Sequence, residues 1–200
     1  MTNEEKVILV IMSRVLDYPE TSAYDEYSSI KDLVKEHFPL EKNRKEIFER
    51  LNPLYKLSIL ELQKLYVETF DYKEKTGLYL TAHELGDSRK RGAALIKLQK
   101  MVCEAGFEHG SKELVDYIPL LLELLAYAPS NENFIRLKQR LSFAIHRISE
   151  GLSKNNPYHQ VLELSKIYIF EAPEEEELIQ LENQREKADL DELPYPITYQ

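Results

Sequence analysis

Cysteine, glycine and tryptophan are scarce in this chain of 200 residues, and the first two scarcities exclude whole classes of structure. The one cysteine, Cys103, cannot form an internal disulfide, and a single thiol without a nearby histidine is a poor zinc ligand or nucleophile. Only 6 glycines and no long Val/Thr-rich alternating segments argue against a β-rich fold. Leu, Glu and Lys recur three and four residues apart, which predicts an all-α fold, a single-domain helical bundle.

Long hydrophobic runs are also absent. No window approaches the roughly 18 to 20 apolar residues that cross a bilayer, so direct membrane insertion is not expected. An apolar run from Val7 to Met12 follows Glu-Glu-Lys and lacks the basic region and the cleavage site of an export signal. The run therefore predicts a core helix in a cytoplasmic protein.

Negative charge is concentrated at one end of the chain. Residues 171–200 hold ten acidic and two basic residues, a net charge of −8, which leaves about −1 of the total of −9 for residues 1–170. A nearly neutral body argues against a nucleic-acid groove. We expect a helical domain over 1–170 and an acidic tail over 171–200 that is partly helical or disordered.

Two segments carry local signals that predict helices. Ser58 and Glu61 have the spacing of a capping box, which predicts a helix from about residue 59 to Phe70. The segment LVDYIPLLLELLAYAP, residues 114–129, predicts an almost wholly apolar helix that Ser111 caps and Pro129 ends. Such a helix must lie at the centre of the fold.

Standard signatures of hydrolases, metalloproteases and kinases are missing, so the chain is not expected to be an enzyme. His83, Glu84 and Asp87 resemble half of a metal site, but Gly86 interrupts the helix there and no second histidine motif follows. We therefore predict no metal. In the structural interpretation, Asp87 caps a helix that spans about 89–105, and His83 bonds a neighbouring carbonyl group.

Three cations begin that helix, where the helix dipole disfavours them. Arg89 and Arg91, with Lys90 between them, therefore suggest a carboxylate partner, which is either internal or part of a bound ligand. The glycine spacing nearby matches neither a Walker motif nor a dinucleotide fingerprint. We favour the internal carboxylate.

Tyrosines are the abundant aromatic residues, 13 of them. Four flank the glycine-bearing region: Tyr66, Tyr72, Tyr79 and Tyr117. They either fill the core with their hydroxyl groups at its edge or line a groove for a peptide.

Three segments together resemble a known family. They are MSRVLDYPE (12–20), YVETFDYKEKTGLYLTAHELGDSRKRGAALIKL (66–98) and KELVDYIPLLLELLA (112–126). With their Tyr-x-x-x-Phe-Asp element and the His-x-x-Gly-Asp-Ser-Arg-x-Arg-Gly turn, they resemble the NarJ-type nitrate reductase assembly chaperones of the TorD/DmsD superfamily, over roughly residues 1–170. The resemblance implies a TorD-like helical bundle.

The resemblance also implies a function. Family members bind the apo catalytic (alpha) subunit of nitrate reductase, including its N-terminal peptide, while molybdopterin guanine dinucleotide is inserted, and they delay docking to the membrane-anchored subunit. The expected partner is the alpha subunit, alone or as its alpha–beta complex, and no cofactor is expected to stay bound to the chaperone. Two alternatives remain, a guanine-nucleotide-binding helical protein, since some superfamily members are associated with such nucleotides, and a generic helical adaptor.

Site residues follow from the same resemblance. The expected client-peptide residues are Tyr66, Phe70, His83, Glu113, Asp116 and Tyr117. The expected turn motif comprises Gly86, Asp87, Ser88, Arg89, Arg91 and Gly92. The sequence departs from the family at Tyr117, which stands where a histidine is expected, and at Thr81 and Ala82, which replace an expected Phe-Glu pair.

Overall fold

The computed structural model describes residues 1–107, 113–128 and 131–171, and within these ranges the chain forms nine α-helices and no β-strand. The all-α prediction is confirmed. The helices are α1 (Asn3–Val15), α2 (Ala23–His37), α3 (Glu41–Tyr55), α4 (Ile59–Phe70), α5 (Leu80–Leu85), α6 (Lys90–Glu104), α7 (Ile118–Tyr127), α8 (Glu132–Gly151) and α9 (Pro157–Tyr168). The predicted cap Ser111, the predicted stop Pro129 and the acidic tail from residue 172 onwards lie outside the described residues, so the predicted division of the chain at residue 170 stays a prediction.

Helix α7 is deeply buried, as its composition predicts, since seven of its ten residues are shielded from solvent. It packs most extensively against α1, and α1 in turn packs against α9 and α2. Ile8 of α1, Leu121 of α7 and Leu162 of α9 are completely shielded from solvent. Burying each such side chain contributes about 1.5–3 kcal/mol, so the contacts that α1 makes with α7 and with α9 stabilise the fold strongly.

Local capping chemistry sets several helix ends. The Ser58 hydroxyl accepts the N–H of Glu61 at 3.4 Å, and the Glu61 carboxylate accepts the N–H of Ser58 at 2.8 Å. The predicted capping box is confirmed, and α4 spans Ile59–Phe70 as the box indicates. Hydrogen bonds from the Ser58 side chain and backbone lower the pKa of Glu61.

The start of α7 differs from the sequence-based expectation. The predicted apolar helix includes residues 114–117, but the observed helix begins at Ile118, with Pro119 in its first turn. The preceding residues pair with another segment instead, because the N–H of Leu80 bonds the carbonyl of Asp116 at 2.9 Å and the N–H of Ile118 bonds that of Leu78 at 2.8 Å. These two bonds hold residues 116–118 in an extended, antiparallel arrangement beside residues 78–80.

The turn between α5 and α6 also corrects one prediction. Asp87 is exposed and does not cap α6, which begins at Lys90 and has Arg89 at its N-cap position without a side-chain bond. The hydroxyl of Ser88 accepts the N–H of Lys90 at 3.3 Å instead. Asp87 lies two residues before the cap, too far back to reach the free N–H groups. Gly86 ends α5 with φ +55° and ψ −136°, a combination open mainly to glycine.

Within the described ranges, no helix is both long and apolar enough to span a bilayer.

Candidate functional site

The pairing of residues 78–80 with 116–118 brings together the two motifs that the sequence places more than 30 residues apart. Beneath this pairing lies a group of polar side chains, which we name the polar corner and define as Thr81, His83, Glu84, Arg91 and Asp116. The group joins α5, the start of α6 and the segment before α7. Its centre is the carboxylate of Asp116.

Asp116 is fully buried, and one of its oxygens collects several hydrogen bonds. Oδ2 accepts the backbone N–H of Thr81 at 3.2 Å and also accepts the Thr81 hydroxyl group. Oδ1 is buried and has no hydrogen-bond partner among the described residues. A buried carboxylate is stable only when charge and donors compensate its lost hydration, so its neighbours must supply both.

Arg91 supplies the compensating charge. Its Nη2 lies 3.4 Å from Asp116 Oδ2, and its Nε donates to the Thr81 hydroxyl at 3.0 Å. The side chain of Arg91 is 27% exposed, whereas that of Asp116 is not exposed at all. The predicted internal carboxylate partner is therefore confirmed for Arg91, while Arg89 is exposed on the surface.

His83 is the second buried titratable residue of the polar corner, and it links α5 to the backbone of Gly77. Its Nε2 lies 2.6 Å from the carbonyl oxygen of Gly77, and because a carbonyl only accepts, Nε2–H is the donor. The predicted bond from His83 to a carbonyl group is confirmed. Burial lowers the pKa of His83, and the positive charge of Arg147 acts in the same direction against the raising effects of the Gly77 carbonyl and Glu84. The buried imidazole is therefore held in its neutral form.

Two arginines of helix α8 bond to α5. Arg140 forms two hydrogen bonds with the carboxylate of Glu84, at 2.6 and 2.8 Å, and Arg147 donates to the carbonyl of His83 at 2.9 Å. Burial lowers the pKa of Arg140, but its bonds to Glu84 outweigh that effect and the pKa is raised. Sequence reasoning missed both arginines, because they lie 56 and 64 residues from their partners and no local pattern marks them.

An aromatic cluster adjoins the polar corner. It consists of two groups of rings in edge-on or tilted contact, and the hydroxyl groups of Tyr66 and Tyr117 join the two groups. The first group is Tyr18, Tyr66, Phe70 and Tyr158, and the second is Tyr79 and Tyr117. Ring centroids of Tyr66 and Phe70 lie 5.1 Å apart, and those of Tyr79 and Tyr117 lie 5.5 Å apart. Such geometries contribute about 0.5–1.5 kcal/mol per pair beyond their burial.

The hydroxyl of Tyr117 occupies the place that the family resemblance assigns to a histidine. It lies 2.8 Å from the Tyr66 hydroxyl and donates to Asp17 Oδ1 at 3.0 Å. Burial raises the pKa of Tyr117, and the neighbouring Tyr66 and Asp17 raise it further. Burial likewise raises the pKa of Tyr66. Both phenols therefore stay neutral across the physiological pH range, and this position carries no proton switch of the histidine kind.

Three carboxylates surround the open side of the cluster, and we name them the acidic rim: Asp17, Asp71 and Glu113. All three are exposed. Glu113 Oε2 accepts the hydroxyl of Tyr79 at 2.6 Å. Burial raises the pKa of Tyr79, and the charges of Glu113 and Asp71 act in the same direction. Among the large apolar side chains here, Tyr18 is 46% exposed.

The predicted client-peptide residues fall into two groups. Five are buried within the polar corner and the aromatic cluster: Tyr66, Phe70, His83, Asp116 and Tyr117. Glu113 lies on the exposed rim. Sequence reasoning thus brings together residues that do meet in space, and their role in client binding stays a prediction.

The residues of the turn motif are mainly on the surface. Five of them are exposed: Gly86, Asp87, Ser88, Arg89 and Gly92. Arg91 is the member that reaches inward. In the part of the chain that the structure describes, no three His, Cys, Asp or Glu side chains gather into a group that could hold a metal ion.

Comparisons with known proteins agree on one family. A family model described as nitrate reductase delta subunit matches residues 39–143. The nitrate reductase molybdenum cofactor assembly chaperone NarJ of Escherichia coli strain K12 is 35% identical over 133 residues, 65% of this chain and 56% of its own length. A Bacillus subtilis strain 168 protein, named a probable NarJ chaperone of the same kind, is 29% identical over 165 residues, 80% of this chain and 86% of its own length. The match thus spans little more than half of the Escherichia coli relative.

A solved structure shows the same fold. The crystal structure described as a redox enzyme maturation protein from Archaeoglobus fulgidus superposes with a TM-score of 0.58, covering 82% of this chain and 92% of its own. Its sequence identity is 18%, so the likeness concerns the fold alone.

Proposed function

The chain belongs to the nitrate reductase delta subunit family, and from this premise we propose that it is an assembly chaperone rather than an enzyme. It binds the apo catalytic subunit of respiratory nitrate reductase, including the N-terminal peptide, and keeps that subunit open for insertion of the molybdenum cofactor. Assembly of the membrane-bound complex follows. The cofactor is cargo for the client, and this chain, acting in the cytoplasm, does not hold it stably.

One observation carries the proposal, the family match over residues 39–143. That range contains the whole polar corner, four of the six residues of the aromatic cluster and Arg140, which bonds the Glu84 carboxylate of α5. Two NarJ-named relatives are similar over the greater part of this chain. Every member of the polar corner therefore lies inside the region that the family shares, whereas Arg147, Tyr18 and Tyr158 lie outside it.

The acidic rim and the aromatic cluster support a particular client chemistry. Exposed carboxylates at Asp17, Asp71 and Glu113 attract cations, and the ring of Tyr18 beside them offers apolar contact. An amphipathic segment with Lys or Arg beside aromatic or aliphatic side chains complements both features. We expect the N-terminal peptide of the client to have this character, and to contact the rim while the buried residues beneath keep the rim in place.

Isothermal titration calorimetry of the full chain with a synthetic N-terminal peptide of the catalytic subunit tests the proposal. We expect binding that weakens as salt is added. Replacing Asp17, Asp71 and Glu113 by Asn, Asn and Gln keeps the hydrogen-bond acceptors for Tyr117 and Tyr79 but removes the charges. Each lost charge should weaken binding roughly two- to fivefold.

The matched control is Asp32→Asn on α2, a helix that carries no residue of the rim. The side chain of Asp32 is 76% exposed, so its loss should leave peptide affinity unchanged. If the wild type and the triple variant bind the peptide with equal affinity, the acidic rim is not part of the binding site. No heat at protein concentrations on the order of tens of micromolar would count against peptide binding itself.

The nucleotide-binding alternative has no observation in its favour. It relies on the cations at the start of α6 meeting phosphates. Arg91, the last of these three cations, is bonded to Thr81 and Asp116 in the interior instead. A thermal-shift screen with guanine nucleotides and magnesium should show no stabilisation.

A further inference from the structure

Helix α6 is the least covered long helix of the described fold, and we propose that the acidic C-terminal segment of this chain, residues 172–200, binds across its exposed face. Of the 15 residues of α6, only Leu98 and Val102 are buried. The helix packs chiefly against the short α5. Its outer face is therefore open to a further element. This inference does not rest on the proposed function.

The open face of α6 combines an apolar side chain with positive charge. Ile96 is 73% exposed, and Lys100 and Cys103 follow it at spacings of four and three residues on the same side of the helix. From residue 89 to 104 the sequence carries five basic residues and one acidic residue. Single exposed apolar side chains are common on protein surfaces, so the charge is what gives this face its selectivity.

The C-terminal segment has the complementary chemistry. Residues 172–200 hold nine acidic and two basic residues. Leu178, Ile179 and Leu181 lie within this acidic stretch and supply apolar side chains for contact with Ile96. Opposite charge brings the two elements together, and the apolar contacts give the complex its stability.

Another exposed apolar face, on α4, has the wrong charge for this segment. Leu60 is 74% exposed and Val67 is 42% exposed. Glu61 and Glu68 flank them with Lys64 as the one cation in this stretch, so an acidic partner would be repelled. Leu60 therefore provides a control for Ile96 with almost the same exposure.

A third exposed apolar residue, Ile135 on α8, lies near two cations, Lys138 and Arg140, that are already paired within the fold. Ile135 is 59% exposed. Lys138 pairs with Glu5 at 3.4 Å and Arg140 with Glu84 at 2.6 Å. On α6, Arg89 and Lys90 are exposed at the start of the helix, and Lys100 pairs with Glu104 at 3.8 Å between side chains that are 77% and 61% exposed. Such an exposed pair is weak, so Lys100 can exchange it for a carboxylate of the C-terminal segment.

The chain is long enough to connect the two elements. The carbonyl of Glu171 accepts the hydroxyl of Ser142, so the segment leaves the described fold beside α8. Helix α8 is bonded to α5, and α5 is bonded through Thr81 to Arg91 of α6. Two helix spacings of about 8–10 Å each separate α8 from α6. Twenty-nine residues span roughly 40 Å even when fully helical, which is enough.

The reactivity of Cys103 reports whether the face of α6 is covered, because Cys103 is the one thiol of the chain and lies exposed on the proposed contact face. The rate of its reaction with a neutral disulfide reagent, 4,4′-dithiodipyridine, is measured in the full chain at low and high salt. A tethered segment has an effective concentration on the order of millimolar, so a dissociation constant near about 100 µM would slow the reaction roughly tenfold. High salt should restore the rate of the exposed thiol.

Substitutions in the full chain test whether the C-terminal segment and the face of α6 around Ile96 are the two surfaces in contact. Replacing Glu174 to Glu177 by Gln should speed the reaction at low salt, while the control, Asp32→Asn with Glu36→Gln on α2, should not. Ile96→Ser should speed it as well, and the control Leu60→Ser should not. Far-UV circular dichroism checks that each variant is folded.

The outcomes separate this inference from its rivals. A reaction rate that the tail variant and salt leave unchanged overturns the proposal. Equal effects of Ile96→Ser and Leu60→Ser also overturn it, because protection would not be specific to α6. Protection that grows with protein concentration would assign the face to a second copy of the chain instead. Titration calorimetry with the client peptide is a separate measurement, so either proposal can fail alone.

Discussion

The apolar core around α1, α7 and α9 and the polar corner before α7 are both buried, but they are stabilised differently. In the core, side chains such as Ile8 and Leu121 have no exposed surface and gain stability from area and volume. In the corner, Asp116 is as deeply buried, yet it depends on a few directed bonds from Thr81 and Arg91. The core should tolerate changes that conserve volume, whereas the corner should respond to the loss of single atoms.

This difference bears on how the fold selects one arrangement. Apolar side chains can slide past one another at modest cost, but a shift of residues 116–118 against 78–80 would leave the Asp116 carboxylate without its donors. We infer that the corner fixes the register between α5 and α7 more than it adds to overall stability. Three sets of variants test this difference between the core and the corner.

The largest effect is expected in the core. Leu121→Ala removes buried methyl groups and leaves a cavity against α1, so the free energy of unfolding should fall by about 3 kcal/mol. Urea denaturation followed by circular dichroism measures it. The control Leu60→Ala, at a position that is 74% exposed, should change stability by less than about 0.5 kcal/mol. Similar losses for the two variants would mean that α7 is not buried in the core.

A smaller effect is expected in the corner. Asp116→Asn conserves the size of the side chain but removes the charge that faces Arg91, so unfolding should become easier by about 1–3 kcal/mol. Adding Arg91→Met should recover part of the loss, because the uncompensated cation is then gone. Strictly additive losses in the double-mutant cycle would show that the 3.4 Å pair is not coupled.

The smallest effect concerns pH. Burial lowers the pKa of His83 below the ordinary 6.5, so the unfolded chain binds more protons than the folded chain in the window just below that value. The free energy of unfolding should therefore decrease as the pH falls through this window. His83→Gln keeps a donor for the Gly77 carbonyl and should flatten the dependence, which denaturant titrations from about pH 8 to pH 5.5 would detect. An unchanged slope would contradict a buried neutral imidazole.

Much of the fold is predictable because its signals are local. The capping box of Ser58 and Glu61 lies within one helical turn, and it places α4 correctly. The apolar composition of residues 118–127 likewise predicts a buried helix, and seven of the ten residues of α7 are buried. Residues 114–117 continue the same apolar pattern but leave the helix, because their backbone groups bond to residues 78–80. A pattern within one segment carries no information about that pairing.

The sequence predicts which residues gather at the site, but it does not predict which of them bond to one another. The cations at the start of α6 indicate a carboxylate partner, and the structure identifies it as Asp116, 25 residues away. Arg140 and Arg147 look like ordinary surface residues of an amphipathic helix, so nothing in the sequence marks them as partners of α5. The exact start of a helix is harder to predict than its existence. Because α6 begins one residue later than predicted, the side chain of Ser88 and not that of Asp87 accepts a free N–H group.

The helical class, the positions of most helices and the segregation of negative charge toward the C-terminus can all be derived from the order of the amino acids. These properties depend on composition and on neighbours within about four positions, which share a helix face. Long-range packing fixes the partner oxygen of Arg91, the first residue of α7 and the burial of Tyr117 beside Tyr66 and Asp17. These features depend on contacts between residues 25 to 100 positions apart, which form only once the apolar helices have packed.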